Sequence, residues 1–271
     1  MTAYEEDLAA IHSAGFIGLA VSAANELLPR LTPGSRVFEL GCGDGTTARL
    51  LSQAGHRLHG IDLSPVLIER ARRNAPQAEF AVGSFVDTPF PAPLDAVIAI
   101  GEVLGYILDP GNAPDTLDTV LTGAAAALRP GGLLLFDLAA PGRAPAAGQR
   151  GWTEGEGWAV LVDVTQHDDE LRASGRDLSR SLIPRNARRS PETRGEPASP
   201  GEQLVRRIIT FREVEDGRFR RAEEVHRLRL HAPDDVLIRL RAAGFSAEIL
   251  PEGYAGDRLP EGLIAYLAQK D

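Results

Sequence analysis

The stretch from residue 37 to residue 46, VFELGCGDGT, constrains the fold of this chain more than any other. It predicts a short apolar strand with a carboxylate near its end, a glycine-rich turn, and a helix that continues to Ala54. Glycines at 41, 43 and 45 permit positive φ angles and let a ligand approach the backbone closely. The free N–H groups at the start of the helix point towards that ligand. The arrangement is typical of a nucleotide-type site at the carboxyl end of a parallel strand.

Strands and helices alternate along most of the remaining chain. Strands are predicted at 36–40, 57–61, 78–82, 94–100 and 133–136. Helices are predicted at 5–13, 16–28, 47–54, 65–74, 115–128 and 233–243, with final strands at 247–250 and 263–267. This order predicts an α/β protein with a doubly wound, Rossmann-like sheet of seven strands.

Two carboxylates limit the classes of ligand that the glycine-rich turn can bind. A dinucleotide fingerprint would need a third glycine where Thr46 stands, and the carboxylate of Glu39 would repel a pyrophosphate. Glu39 suits a ligand with positive charge, such as an ammonium or a sulfonium. Asp62, which ends the second strand, is placed to accept hydrogen bonds from ribose hydroxyls. A P-loop is excluded because no Gly-Lys-Ser/Thr follows the turn. A nucleoside with a cationic, phosphate-free tail fits both acids.

Three motifs resemble those of the class I S-adenosylmethionine-dependent methyltransferases, of the type that acts on small molecules. They are ELGCGDG at 39–45, GIDLS at 60–64 and LRPGG at 128–132, and the ending LRAAGF at 240–245 is also similar. The resemblance covers about residues 36–137 and implies S-adenosylmethionine as the cofactor. It implies that ten residues bind this cofactor, although many family members carry aspartate at the position of Ser84: Glu39, Gly41, Cys42, Gly43, Asp62, Leu63, Ser84, Phe85, Gly101 and Glu102.

Almost a hundred residues between the fifth strand and the last helix do not fit the sheet. Three strands are predicted there, at 158–164, 204–211 and 219–230, and they suggest an inserted antiparallel β layer that roofs the acceptor pocket. The interval 184–203 is rich in Pro, Ser, Gly, Arg and Glu and is predicted to be a mobile loop. The predicted division is an N-terminal helical lid, a cofactor-binding core, a substrate layer and the C-terminal part of the core: 1–34, 35–137, 138–231 and 232–271.

The residues that act on the methyl acceptor are less evident. The exit of the fourth strand, IGEVLGY at 100–106, is where family members place the reactive methyl group, and Glu102 is either close to it or a backbone-bonding carboxylate. Glu224 and His226 share one face of a predicted strand and are the candidate catalytic residues. They would remove the proton of a hydroxyl or acid acceptor. The alternative is an ion pair on a sheet surface. Four further side chains are expected either to line the pocket or to pack elsewhere: Tyr4, His12, Tyr106 and Tyr254.

Composition limits the classes of partner. The chain of 271 residues has a net charge of −9, so general binding to nucleic acid is not expected. The arginine-rich interval 172–194 contains no aromatic residue to stack on bases. One cysteine excludes an intramolecular disulfide, and methyl transfer requires no metal. No apolar run reaches the roughly 20 residues that span a bilayer.

The sequence therefore predicts a soluble, cytoplasmic enzyme with a small-molecule methyl acceptor, and it specifies no oligomeric state. The reacting atom of that acceptor is a nitrogen or an oxygen. Two alternatives remain open: a methyltransferase that acts on RNA or protein, and a regulatory module that binds S-adenosylmethionine without turnover.

Overall fold

A seven-stranded sheet with helices on both faces forms the core of the protein. The computed structural model describes residues 4–108, 111–144, 148–167, 203–214 and 217–271. Spatial strand order is β10-β11-β5-β4-β1-β2-β3, in which β5 to β3 run parallel and β11 is antiparallel to both β5 and β10. The strands are β1 Arg36–Leu40, β2 Arg57–Asp62, β3 Glu79–Val82, β4 Leu94–Ala99, β5 Leu128–Ala139, β10 Phe245–Ile249 and β11 Leu263–Lys270. The predicted doubly wound α/β fold is confirmed.

The helices cover both faces of this sheet because its central strands are apolar on both sides. Phe38, Leu40 and Val97 belong to one buried cluster, whereas Val37 and Ile98 belong to the cluster on the opposite face. The helices of the core are α3 Thr46–Gln53, α4 Pro65–Asn74, α5 Thr116–Ala127 and α6 Pro233–Ala242. The Ser64 hydroxyl accepts the N–H of Leu67, so the predicted serine cap of α4 is present.

A second, antiparallel sheet of four strands forms the layer between β5 and α6. Its order is β6-β7-β8-β9, with bounds Gln149–Gly155, Trp158–His167, Gln203–Glu213 and Phe219–Arg229. We call these four strands the roof layer. The sequence predicted three of them and missed β6, because every residue of β6 is exposed and it lacks apolar alternation. Leu204, Leu228 and Leu230 of this region pack on Ala139 and Ala144.

Two N-terminal helices, α1 Glu6–Gly15 and α2 Gly18–Leu27, precede β1. Leu8 and Ile11 of α1 pack against Val160 and Ile208, so α1 is attached to the roof layer. Among the described residues, no single helix is long and apolar enough to cross a bilayer. Helix α1 and residues 18–30 reach the necessary length and hydropathy only when taken together, and the two are bent by 58° relative to each other.

The fifth strand is longer than predicted. It begins at Leu128, which pairs with Leu94 of β4. The pairing register of β4 and β5 then shifts, and Pro130-Gly131-Gly132, which was predicted to be a turn, lies in this irregular part of the strand. The predicted mobile loop at 184–203 and the arginine-rich interval at 172–194 lie outside the described residues, apart from Gln203 at the start of β8. The segment boundaries at 34, 137 and 231 stay predictions, and the change from core sheet to roof layer falls between Ala139 and Gln149.

Candidate active site

The glycine-rich turn between β1 and α3 is built by left-handed backbone angles. Gly41, Gly43 and Gly45 have φ angles of 64°, 54° and 77°. A Cβ at Gly41 would lie 2.5 Å from Val103 Cγ2, so only glycine fits there, whereas a Cβ at Gly43 would meet nothing within 4 Å. The turn therefore presents bare backbone to open space above β1, as close contact with a ligand requires.

Asp62, at the carboxyl end of β2, supports this turn from the side. Its Oδ2 accepts the N–H of Gly43 at 3.0 Å and its Oδ1 accepts the N–H of Ser64 at 2.8 Å. Burial raises the pKa of Asp62, and the two backbone hydrogen bonds oppose that rise. Each carboxylate oxygen retains further acceptor capacity, so the group can hold the turn and bind hydroxyls at once.

Glu39 lies beneath the turn with one oxygen unpaired. The residue is 2% exposed, and its Oε2 atom is buried without a hydrogen-bond partner. Burial raises the pKa of Glu39 to about 8, opposed by the Thr47 hydroxyl and reinforced by Asp44 and Asp62. A buried carboxyl oxygen without a partner is rare in native proteins, and a bound cation would satisfy it. The site thus fits the ammonium group of S-adenosylmethionine.

A cleft that is partly open to solvent lies over the carboxyl ends of β1, β2 and β4. Six of the ten predicted cofactor residues line it, namely Gly41, Gly43, Asp62, Leu63, Phe85 and Gly101. Tyr4, His12 and Tyr106, which were predicted either to line a pocket or to pack, line this cleft. Tyr4 and His12 belong to the N-terminal segment, which therefore covers one side of the cleft.

The other predicted cofactor residues do not line the cleft. Ser84 is buried and its hydroxyl accepts the N–H of Val86, which is the role of a turn residue. Cys42 packs in the core with its side chain against Gly60, because its backbone N–H continues the pairing with β2. Glu39 lies below the lining residues, as described above. Tyr254 is fully buried beneath the sheet edge and does not reach the cleft.

Asp137, to which no role was assigned from the sequence, stabilises the backbone where β4 ends. Its carboxylate accepts the N–H groups of Gly101 and Glu102 and the hydroxyl of Tyr254, the last at 2.9 Å. Gly101 and Glu102 both have positive φ angles, 94° and 63°. Burial raises the pKa of Asp137 to about 6, against these three hydrogen bonds. Asp137 therefore fixes the strained turn that borders the cleft.

Glu102 is bound by arginine side chains and does not line the cleft, so its contact with the cofactor stays a prediction. Arg206 of β8 binds it through two hydrogen bonds of 2.6 and 2.9 Å, and Arg143 Nε donates to it at 3.1 Å. Burial by itself would raise the pKa of Glu102, but the two guanidinium groups lower it overall. This buried cluster joins the core to the roof layer.

Glu224 and His226 lie on the inner face of the roof layer, as strand alternation predicted, but they do not line the cleft. His226 is 1% exposed and its Nε2 is 2.9 Å from Glu224 Oε2. The rings of Tyr4 and Tyr106 lie between His226 and the cleft, with centroid distances of 5.2 and 5.6 Å from it. The catalytic role of this pair stays a prediction, and the two side chains form a hydrogen-bonded pair behind the residues that line the cleft.

Tyr4 and Tyr106 bring their hydroxyls together at one end of the cleft, 3.4 Å apart. Burial is the main cause that raises the pKa of both phenols. Both hydroxyls therefore keep their protons near neutral pH and act as hydrogen-bond donors. Among the residues that the structure describes, no group of three or more His, Cys, Asp or Glu side chains is arranged to hold a metal.

Comparisons with known proteins agree with this geometry. A family model described as a methyltransferase domain matches residues 37–132. The chain is 34% identical over 116 residues to the uncharacterized methyltransferase sll0829 of Synechocystis sp., an alignment that covers 41% of this chain and 50% of that protein. The chain thus spans about half the length of the curated relatives it matches.

Two solved structures share the whole fold at low identity. DesVI of Streptomyces venezuelae has a TM-score of 0.70 at 17% identity, covering 99% of this chain and all of that one. S-adenosylmethionine-bound CalS10, an amino pentose methyltransferase from Micromonospora echinaspora, has a TM-score of 0.66 at 16% identity, covering 100% and 99%. Together with the family match, the sheet topology and the glycine-rich turn lead to one identification. Residues 37–132 form a class I methyltransferase domain whose cofactor is S-adenosylmethionine.

Proposed function

We propose that the protein transfers the methyl group of S-adenosylmethionine to a nitrogen atom of a small molecule. The bound cofactor supplies a methyl group that is already activated as part of a sulfonium. The protein then has to hold a nucleophile in line with that group and exclude water, and such positioning can supply roughly 7–11 kcal/mol of the barrier. The observation that carries the proposal is the pair of protonated tyrosines, Tyr4 and Tyr106, at the cleft wall beside the exit of β4.

The geometry of the cleft and of the buried Glu39 below it supports an assignment of the cofactor-binding residues. We assign the cofactor ammonium to the unpaired oxygen of Glu39 and the ribose hydroxyls to Asp62. Leu63 and Phe85 line the cleft beyond Asp62 and offer apolar surface to the adenine. Gly41 and Gly43 leave room for the methionine part beside bare backbone.

A nitrogen acceptor is favoured because it needs no base, whereas His12 is the one neutral imidazole in the described cleft lining that a hydroxyl acceptor could use. The titratable residues of this lining are Tyr4, His12, Asp62 and Tyr106. The tyrosines stay protonated, and the Asp62 carboxylate is bound by two backbone N–H groups. Burial lowers the pKa of His12, whose charged neighbour is Asp44 of the glycine-rich turn. A neutral amine needs no base before it attacks, whereas a hydroxyl does. The similarity to an amino pentose methyltransferase supports the same choice.

A carboxylate oxygen is the second candidate, because it too needs no base. The observation in its favour is Arg206, a buried guanidinium that binds Glu102 and whose charge acts on the Tyr106 phenol. Its charge would favour an anionic acceptor.

Transfer of labelled methyl groups tests the reaction. The protein is incubated with methyl-labelled S-adenosylmethionine and a panel of small amines, carboxylic acids and alcohols, with RNA and protein fractions in parallel. Label in the amines supports the proposal, and label in the acids alone selects the second candidate. Label in RNA or protein would refute a small-molecule acceptor. Binding of S-adenosylhomocysteine without transfer to any acceptor would identify a non-catalytic module.

Substitution of Asp62 by alanine tests the cofactor assignment. We expect the melting-temperature increase that S-adenosylhomocysteine gives the wild type to disappear, because hydrogen bonds to a carboxylate contribute about 1.5–3 kcal/mol each. Asp62→Asn is the matched control, since it keeps one acceptor oxygen and the side-chain shape and should retain a reduced increase. An unchanged increase in the alanine variant would refute the ribose role. An equal increase with NAD at the same concentration would refute the cofactor assignment itself.

Substitution of Tyr106 by phenylalanine tests the acceptor end of the cleft. Loss of one neutral hydrogen bond, about 0.5–1.5 kcal/mol, should lower kcat/KM for the acceptor by up to roughly tenfold. Affinity for S-adenosylhomocysteine, measured by calorimetry, should stay within about twofold of wild type. A variant that loses cofactor affinity and keeps kcat/KM at saturating cofactor would place Tyr106 on the cofactor instead.

A further inference from the structure

Helix α1 begins without a cap of its own. Glu5 occupies its N-cap position and makes no capping hydrogen bond through its side chain. The carboxylate of Glu224, on β9 and 219 residues away in sequence, binds the backbone of the two residues that lead into this helix. Its Oε2 accepts the N–H of Tyr4 at 2.8 Å and its Oε1 accepts the N–H of Glu5 at 3.0 Å. A carboxylate that binds successive backbone N–H groups at a helix start is both hydrogen-bonded and favoured by the helix dipole.

The segment that Glu224 holds also contacts the cofactor-binding core. The Tyr4 carbonyl accepts the Ser64 hydroxyl at 3.0 Å, two residues beyond Asp62. Tyr4 has a φ angle of 53°, which a tyrosine rarely adopts, so the surrounding contacts impose this conformation. Its ring lines the cleft, and its hydroxyl meets that of Tyr106. Tyr4 therefore spans the cleft from the roof layer to the core.

His226 keeps the Glu224 carboxylate in this orientation. It is 1% exposed, its Nε2 is bonded to Glu224, and its ring packs on Tyr4 and Tyr106. Both oxygens of Glu224 are thereby occupied by the backbone of Tyr4 and Glu5 and by His226. Neither Glu224 nor His226 lines the cleft, and the rings of Tyr4 and Tyr106 pack on His226.

We propose that Glu224 is a positioning residue, whose carboxylate caps α1 from the roof layer and thereby holds Tyr4 over the cofactor cleft. The pair Glu224 and His226 thus acts through Tyr4 and not on the acceptor. This inference rests on the proposed function for its ligand, because the cleft that Tyr4 covers is the cofactor site. Loss of the cap releases residues 4 and 5, and the cofactor product then leaves faster.

Two measurements on Glu224→Ala and Glu224→Gln test the proposal. Hydrogen exchange by mass spectrometry follows the N-terminal peptide, and stopped-flow fluorescence follows dissociation of S-adenosylhomocysteine. In the alanine variant we expect exchange at residues 4 and 5 and the dissociation rate to rise about tenfold or more. Glu224→Gln keeps one acceptor oxygen and should give intermediate values. If the alanine variant fails to fold, the comparison of Glu224→Gln with wild type tests the proposal.

Glu223→Ala is the matched control, because Glu223 is the next residue on the outer face and pairs with Arg207 and Arg221 there. It should leave exchange at residues 4 and 5 and the dissociation rate unchanged. Wild-type values in Glu224→Ala would overturn the proposal. A second outcome would also overturn it. If Glu224→Ala loses turnover and the acidic limb of the pH–rate profile while the dissociation rate stays unchanged, Glu224 is a general base. If wild-type protein does not bind S-adenosylhomocysteine, the proposed function fails, whereas the exchange measurement still decides whether Glu224 caps α1.

Discussion

Replacing Glu39 by glutamine is expected to stabilise the ligand-free protein while it weakens cofactor binding. Burial raises the pKa of Glu39 to about 8 from an ordinary value of 4.5. The folded state therefore holds a proton that the unfolded state releases above pH 4.5, and the free energy of unfolding falls as the pH rises from 4.5 to about 8. At pH 7 this cost is about 3 kcal/mol, and glutamine, which is neutral at every pH, avoids it.

The measurement is thermal unfolding of both proteins without ligand between pH 5 and pH 8. The melting temperature of Glu39→Gln should exceed that of wild type by roughly 5–10 °C at pH 7, with a difference that shrinks towards pH 5. Calorimetry should show a 10- to 100-fold loss of affinity for S-adenosylhomocysteine, because the charged partner of the ammonium is gone. A glutamine variant that is less stable than wild type at pH 7 would refute the protonated state of Glu39.

The same carboxyl makes cofactor binding release a proton. Glu39 is neutral in the empty site at pH 7 and becomes ionised when it meets an ammonium, so affinity in the wild type should rise by up to tenfold per pH unit towards pH 8. Calorimetry in buffers of different ionisation enthalpy counts that proton. Glu39→Gln is the control, and it should release none.

Replacing Arg206 by alanine is expected to destabilise the protein by about 3–5 kcal/mol, because it leaves a buried carboxylate with an incomplete partner. Arg206 and Glu102 are 14% and 7% exposed in their side chains, and Arg143 alone would remain on Glu102. Thermal unfolding should show a melting temperature lower by roughly 10 °C or more. Loss of Arg206 also raises the pKa of Glu102, so the destabilisation should diminish at low pH, where Glu102 becomes protonated.

Arg207→Ala is the control for Arg206, one residue away on the outer face of the same strand. Arg207 pairs with Glu223 and Asp163 in solvent, and such pairs contribute about 0–1 kcal/mol. The double variant Arg206→Met with Glu102→Leu should recover stability relative to Arg206→Ala, since it removes both buried charges. Equal destabilisation by the alanine substitutions at 206 and 207 would show that the buried cluster does not join core and roof.

The sheet could be predicted from the sequence because local patterns specify it. Apolar runs, glycine turns and the Ser64 cap are each determined within a few residues, and together they predicted a doubly wound fold. The same reasoning placed Asp62 and the glycines beside the cleft. It also placed Glu224 and His226 on one face of β9, since alternation is a property of a single strand.

Other parts of the site depend on contacts between distant segments, which no local pattern reveals. Asp137 was an isolated acid in the sequence, yet it fixes the β4 exit through Gly101 and Glu102. Glu102 was expected either close to the reactive group or as a backbone-bonding carboxylate, and it is bound by Arg206, which lies 104 residues away in sequence. The strand β6 was missed because exposed polar residues carry no periodic signal. For Asp137 and Glu102, the role depends on the residue that each side chain contacts and not on its residue type.

The ends of the roof insertion meet at a single point of the core. The chain leaves the sheet after β5 and returns after β9, where the His231 N–H donates to the Ala139 carbonyl at 2.9 Å. An insertion with adjoining ends can change in length or sequence without displacing the strands that flank it. The core sheet and the roof layer are therefore free to diversify at different rates in evolution, and the roof layer of a relative could be grafted at this junction.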